Sequence, residues 1–431
     1  MGATGLAKLA AGVVSGYREP MLTTLTRKTS IMPAPYKVLV YKSLLALKKA
    51  VIGKPHPRPV VFAGDNAVQQ LCEGIAQLGL KSVLIVTDKP LVELGLVARI
   101  EQFLLGAGVS CTVYDGVLPD PSAGLVNEGL AQLQQQQSEA VLGFGGGSSI
   151  DAAKVIALAG ANGLRAEECV GLNKGKRPPL PLFAIPTTAG TGSECTIAAV
   201  VSDDITHEKM IVANPAIVPR LAALDATMMQ GLPPPITAAT GMDALTHAVE
   251  SYINTWATDE TSSQGRAAAK MIFENLPRAC EHGDDLAARR AMALASYYAG
   301  LAFTSALVGY VHAIAHQLGS RYHVPHGVAN AMVLPHVLDV LKHDAKTRLA
   351  ELAEYCDMGE PGMDELALAQ CFIERVRALS AAINIPSHCD KIKEEDVASI
   401  VDAAMQEGNG YPVPRFIERH ECETVVRKLM V

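Results

Sequence analysis

The chain has 431 residues, 49% of them hydrophobic and 19% charged, which suits two ordinary domains with large cores and excludes a disordered or fibrous protein. A net charge of −7 argues against nucleic acid as the main partner, and no apolar run reaches the roughly 18 residues expected of a membrane span. Nine scattered cysteines without a C-x-x-C pair indicate reduced thiols in a reducing, cytoplasmic setting, not a disulfide framework or a zinc ribbon.

Charge is unevenly spread. Residues 1–58 hold ten Lys and Arg against one acid, Glu19, so this segment is +9 and the remainder −16. It reads as a basic N-terminal extension, a solvated or partner-facing appendage. Its acid-poor composition also fits a transit peptide for the mitochondrial matrix, and Tyr36–Val51 fits a helix lying on a membrane surface. The start has no unbroken apolar core of a secretory signal.

From 59 to 232, short β-branched runs alternate with helical stretches. Strands are predicted at Ser82–Thr87, Cys111–Tyr114, Ala140–Phe144 and Leu182–Ile185, with helices at Leu91–Leu105 and Gly124–Gln137. Such alternation predicts an α/β domain with a mostly parallel sheet. The three prolines of Leu232–Thr237 are expected to stop regular structure. Beyond them the chain has helical periodicity and no convincing strand, so 233–431 is predicted to be all-helical.

Two loops stand out in the first domain. Gly145-Gly146-Gly147-Ser148-Ser149 follows a predicted strand and opens a predicted helix. Backbone without side chains, placed at a helix N-terminus with unpaired N–H groups, can hold a pyrophosphate; a purely structural turn is the alternative. Pro186–Glu194 is rich in hydroxyls and glycine and can wrap a polar ligand or simply turn. Asp88, ending an earlier strand, can accept from an adenosine ribose and repel a 2′-phosphate, favouring NAD over NADP, or it can cap a helix.

The second domain carries a histidine cluster. Asp243 and His247 are four apart, hence on one helix face, and His312 and His316 repeat the spacing. His323, His326 and His336 follow, so five of twelve histidines fall within 25 residues, beside the apolar stretch Leu301–Val311. Buried imidazoles need partners. A set of three imidazoles and a carboxylate suits iron or zinc with one position open to substrate. Spacing does not say which downstream histidines are the ligands.

Four segments, GGGSSIDAAK, PTTAGTGSE, GMDALTHAVESY and VHAIAHQLGSRYHVPHGVANA, resemble in order the iron-containing (group III) alcohol dehydrogenase family. The resemblance runs from about residue 59 to the C-terminus. It implies a dehydroquinate synthase-like pairing of an NAD-binding α/β domain with a helical metal domain, and a dimer or higher homo-oligomer. It assigns the metal ligands as Asp243, His247, His312 and His326, with His316 near the nicotinamide as the catalytic residue. It implies cofactor contacts from Asp88, Asp120, Gly146, Gly147, Ser148, Asp151, Thr187, Thr188 and Lys209. Asp120 stands where the family often has Asn, and Phe303 falls at the substrate pocket. The expected activity is NAD- and Fe2+-dependent interconversion of a small, primary alcohol and its aldehyde. Rival readings are a zinc polyol dehydrogenase of the glycerol type, a hydroxyacid–oxoacid transhydrogenase and a non-catalytic assembly scaffold.

Overall fold

The computed structural model describes residues 34–52, 56–206 and 208–430. The first 33 residues, where most of the transit-peptide reading falls, lie outside them. The basic segment ends in a helix, α1 (Ala34–Ile52). This helix is seated on the chain itself. Leu45 is buried, the Tyr41 ring lies 5.6 Å from Phe416, Lys48 Nζ donates to the Gly410 carbonyl at 3.2 Å, and Lys49 sits over Trp256.

Two strand–helix repeats follow: β1 (Val60–Ala63), α2 (Ala67–Gln77), β2 (Ser82–Val86), then α3 (Lys89–Glu93) and α4 (Leu96–Gly106). The single helix expected over Leu91–Leu105 is therefore two. Gly95 adopts φ 74°, a left-handed turn that ends one helix and opens the next. The domain continues through β3 (Ser110–Tyr114), α5 (Ala123–Gln136), β4 (Ala140–Gly145), α6 (Gly147–Asn162), β5 (Gly171–Leu172), β6 (Leu182–Pro186), β7 (Ala198–Ser202), β8 (Lys209–Ala213) and β9 (Leu221–Leu224).

The main sheet has the order β1-β9-β6-β4-β2-β3, and every pairing in it is parallel. Period-2 alternation loads both faces. Val83 and Ile85 join one core cluster, Leu84 and Val86 the other. From β2 the chain moves to one side for β3 and to the other for β4, β6 and β9. The order therefore reverses between β2 and β4, and ligands of such sheets bind at that crevice, beyond the strand C-termini. Asp88 and Gly146 follow those two strands.

The prolines do not stop regular structure. Pro234 and Pro235 begin α7 (Pro234–Ile253), because proline suits the first turn, where N–H groups have no helical partner. Seven more named helices follow: α8 (Asp259–Glu281), α9 (Leu286–Ala306), α10 (Tyr310–Tyr322), α11 (His326–Leu341), α12 (Lys346–Tyr355), α13 (Glu365–Ala382) and α14 (Val397–Gly408); α15 (Arg419–Lys428) closes the chain. All strands of the described residues precede residue 225. Among those residues no single helix is long and apolar enough to cross a membrane.

The α9–α10 bend, 105°, aims the histidine helix inward. Its pivot is Leu307, at φ 60° and ψ −177°, a region that glycine tolerates and leucine does not. Asn254, at the end of α7, holds it there: Nδ2 lies 3.0–3.1 Å from the carbonyls of Ala306, Leu307 and Val308. Asn254→Ala leaves these acceptors unpaired and should cost about 1–3 kcal/mol, read as a lowered denaturation midpoint; an unchanged midpoint would show that packing alone holds the turn.

Candidate functional site

Helix α7 is buried from Thr237 onward apart from half-buried Thr240, so the titratable residues it carries must find partners inside the protein. Asp243, His247 and Glu250 are spaced four and three apart and share a face. Opposite them, α10 presents His312 and α11 presents His326. The Nε2 atoms of His247, His312 and His326 lie 3.9, 3.9 and 3.4 Å from one atom, Asp243 Oδ1. Asp243, His247 and His312 offer ligand atoms all within 4.8 Å of one another, and all three are buried. Three of the four sequence-assigned ligands thus form one compact group, and His326 approaches it through Asp243. His323, at the exposed C-terminal cap of α10, and His336, farther along α11, lie outside that set.

Burial drives the His312 pKa well below the ordinary value and that of His326 down to about 4. Neutral imidazoles keep the lone pairs a cation needs. His312 Nδ1 faces Glu250 Oε2 at 2.6 Å, and Glu250 Oε1 accepts from the Val311 N–H. A proton on Nδ1 turns the Nε2 lone pair toward Asp243, as metal-ligating histidines require. Asn330 Nδ2 donates to Asp243 Oδ1 at 2.7 Å and lies 3.2 Å from His312 and His326 Nε2. Three nitrogens and a carboxylate, dry and preoriented, fit a divalent first-row cation.

Exposure shows where the site opens. The side chains of Asp243, His247 and His312 are at most 6% exposed, that of His326 is 36% and that of His316 is 30%. The His316 and His326 rings stack 5.3 Å apart at the mouth. Phe303 stacks on His247 at 4.1 Å and 18°, roofing one ligand.

The two glycine-rich loops of the α/β domain lie against each other. Gly145 has φ 145°, and a Cβ there would meet Ser149 Oγ at 2.5 Å, so glycine alone makes the turn into α6. Gly146 caps α6, Gly147 and Ser148 follow, and the Thr187 N–H donates to the Gly145 carbonyl. An added Cβ on Gly146 or Gly147 would touch Thr188 or Thr191, which puts the two loops side by side. Asp88 caps α3 by accepting from the Leu91 N–H at 3.1 Å, so the capping reading holds for one of its oxygens. Lys209 Nζ pairs with Asp120 Oδ1 at 2.8 Å at the rim.

Asp151, mostly buried, is engaged within the chain. It accepts from Ser193 Oγ and the Val200 N–H and lies 3.8 Å from buried Lys154, which also donates to Thr196 and the Ala198 carbonyl. This knot ties α6 to the second loop. That loop then meets α9 with no side chain between: Gly192, at φ 61°, would on gaining a Cβ strike Gly300 Cα at 2.7 Å.

Sequence reasoning did not single out Glu250, Asn330, Lys154 or Glu407. Glu250 had a readable signal, its place on the Asp243–His247 face. Asn330 is four residues after His326, with the same helical logic. Glu407 is 91 residues from His316 in the chain, so no spacing could reveal it.

The chain matches the profile "Iron-containing alcohol dehydrogenase" over residues 57–226 and "Fe-containing alcohol dehydrogenase family, C-terminal" over 237–430. It is 37% identical over 374 residues to alcohol dehydrogenase 4 of Saccharomyces cerevisiae (strain YJM789), covering 86% of this chain and 96% of that one. It is 36% identical to the NAD-dependent methanol dehydrogenase of Bacillus methanolicus, covering 86% and 98%. A solved 1,3-propanediol oxidoreductase superposes with a TM-score of 0.84 at 36% identity, covering 88% of this chain and all of that one. The matched relatives are oxidoreductases, and the parallel sheet joined to a helical domain is the fold this chain shares with them. This chain belongs to the iron-containing alcohol dehydrogenase family, whose relatives are alcohol–aldehyde oxidoreductases.

Glu194 is fully buried, one oxygen has no hydrogen-bond partner, and burial pushes its carboxyl up to about 7. A raised carboxyl pKa favours the folded state at low pH, and that contribution is lost as pH rises through about 7. Glu194→Gln should therefore melt with the parent at pH 5 and above it at pH 8; a difference of equal size at both values would show that Glu194 does not titrate between them.

Proposed function

We propose that the chain is an NAD-linked, iron-dependent dehydrogenase interconverting a small primary alcohol and its aldehyde. The observation that carries this reading is the convergence of three imidazole nitrogens on one buried carboxylate oxygen, open on a single side. When bound there by Asp243, His247, His312 and His326, a divalent cation supplies Lewis acidity that lowers the hydroxyl pKa of an alcohol. Fe2+ is favoured over Zn2+ by family membership. NAD is supported by the printed cofactor of the methanol dehydrogenase relative and by Asp88, whose carboxylate would repel a 2′-phosphate.

The residues divide the work. The Gly146-Gly147-Ser148 turn and the N-terminus of α6 hold the pyrophosphate, with Thr187 and Thr188 beside it. Phe303 and the buried ligand wall keep water from the reacting carbon. A bound nicotinamide would supply the hydride acceptor for alcohol oxidation; the proton released in the same oxidation would be taken by His316 at Nε2, the ring nitrogen not bound to Glu407. Reduction returns both. The nine cysteines, all free, suit a reducing compartment, the cytoplasm or a mitochondrial matrix.

Chelation of the purified enzyme should abolish alcohol oxidation with NAD, and ferrous iron should restore it. His312→Ala should lose both metal, by elemental analysis, and turnover. Restoration by zinc alone would overturn the iron assignment, and metal retained in the variant would overturn the ligand set. Asp88→Gly should raise kcat/KM with NADP about tenfold or more relative to NAD; unaltered preference would leave Asp88 as a helix cap.

A further inference from the structure

Glu407 ends helix α14, far in sequence from the motifs above, yet it touches the histidine at the site mouth. Its Oε1 lies 2.7 Å from His316 Nδ1 and accepts from the Tyr411 hydroxyl at 2.8 Å. The carboxylate is thus held between an imidazole and a phenol. The turn that carries it is pinned from several directions. Gly408 packs beneath the Tyr310 ring, where a Cβ would clash at 2.3 Å, and the Tyr310 hydroxyl donates to Asn409 Oδ1. Thr255 bonds the Pro412 carbonyl through both its N–H and its hydroxyl, and Lys48 of α1 reaches Gly410. Such anchoring leaves Glu407 little freedom.

An imidazole in a half-open mouth could rotate about its Cβ–Cγ bond and present either nitrogen. We propose that Glu407 is the positioning residue of this site: by accepting from Nδ1–H it fixes the ring of His316 so that Nε2 faces the cleft. Tyr411 in turn fixes the carboxylate. The arrangement repeats, one helical turn along α10, the Glu250–His312 pair, so each of the two histidines has its own carboxylate on the far nitrogen. The inference rests on the reading of His316 as the proton acceptor.

The test uses the full-length, metal-loaded enzyme. Glu407→Ala should lower kcat for alcohol oxidation about tenfold or more, with KM for alcohol and NAD within about twofold of the parent and metal content unchanged. Glu407→Gln keeps an oxygen that accepts from Nδ1–H and should recover most of kcat. Should the alanine variant not fold, Glu407→Asn, its oxygen drawn back by one methylene, gives the same contrast with Gln. Equal losses in the Gln and Ala variants would overturn positioning as the role. His316→Ala separates the two readings. If it is slow while Glu407→Ala is not, the Glu407 inference fails and His316 keeps its role. If His316→Ala matches the parent, the role of His316 itself fails.

Discussion

One oxygen atom organises the catalytic half of this molecule. Asp243 Oδ1 is the point on which nitrogens from α7, α10 and α11 converge, and it is almost entirely shielded from water. Burying a carboxylate among apolar helices is expensive unless it is matched, and three neutral imidazoles with an amide do not supply a full positive charge. The geometry is therefore that of a binding site, and the surrounding fold serves it. The α9–α10 bend brings His312 in, the buried α7 leaves its polar face no outlet but the centre, and Glu250 orients the ring that would otherwise be free to turn.

Much of this was legible in the sequence, for reasons that can be named. The strands with β-branched cores, such as Ser82–Val86, were found because their period and composition agree. β9 reads Leu-Ala-Ala-Leu and carries little strand signal of its own; it is a strand because it pairs with β1 on one side and β6 on the other. The ligand set was legible because helical spacing puts Asp243 with His247, and because the histidines crowd into one segment. What sequence could not show is contact across long separations. Glu407 against His316, Asn254 against the Leu307 turn and Lys154 beneath the 193–198 loop are all tertiary facts. The proline run misled because proline has opposite effects inside a helix and at its first turn.

The N-terminal helix adds something outside the family profiles, which begin at residue 57. Its composition suggested a solvated appendage, yet Leu45 is buried and burial lowers the Lys48 pKa. It lies over Gly410, Phe416 and Trp256, outside the turn that follows Glu407. An element whose charge resembles a sorting or docking signal is thus part of the wall of the helical domain.

The bare seam between Gly192 and Gly300 sets a dimension. Where Gly192 and Gly300 meet backbone to backbone, the gap from the second glycine-rich loop to the helix bearing Phe303 has no adjustable part. A methyl group at Gly300 is a shim of known thickness, since its carbon would press on Cys195 Sγ at 2.6 Å. Graded substitutions at this position would widen the seam in steps of known size, from a point that carries none of the proposed site residues.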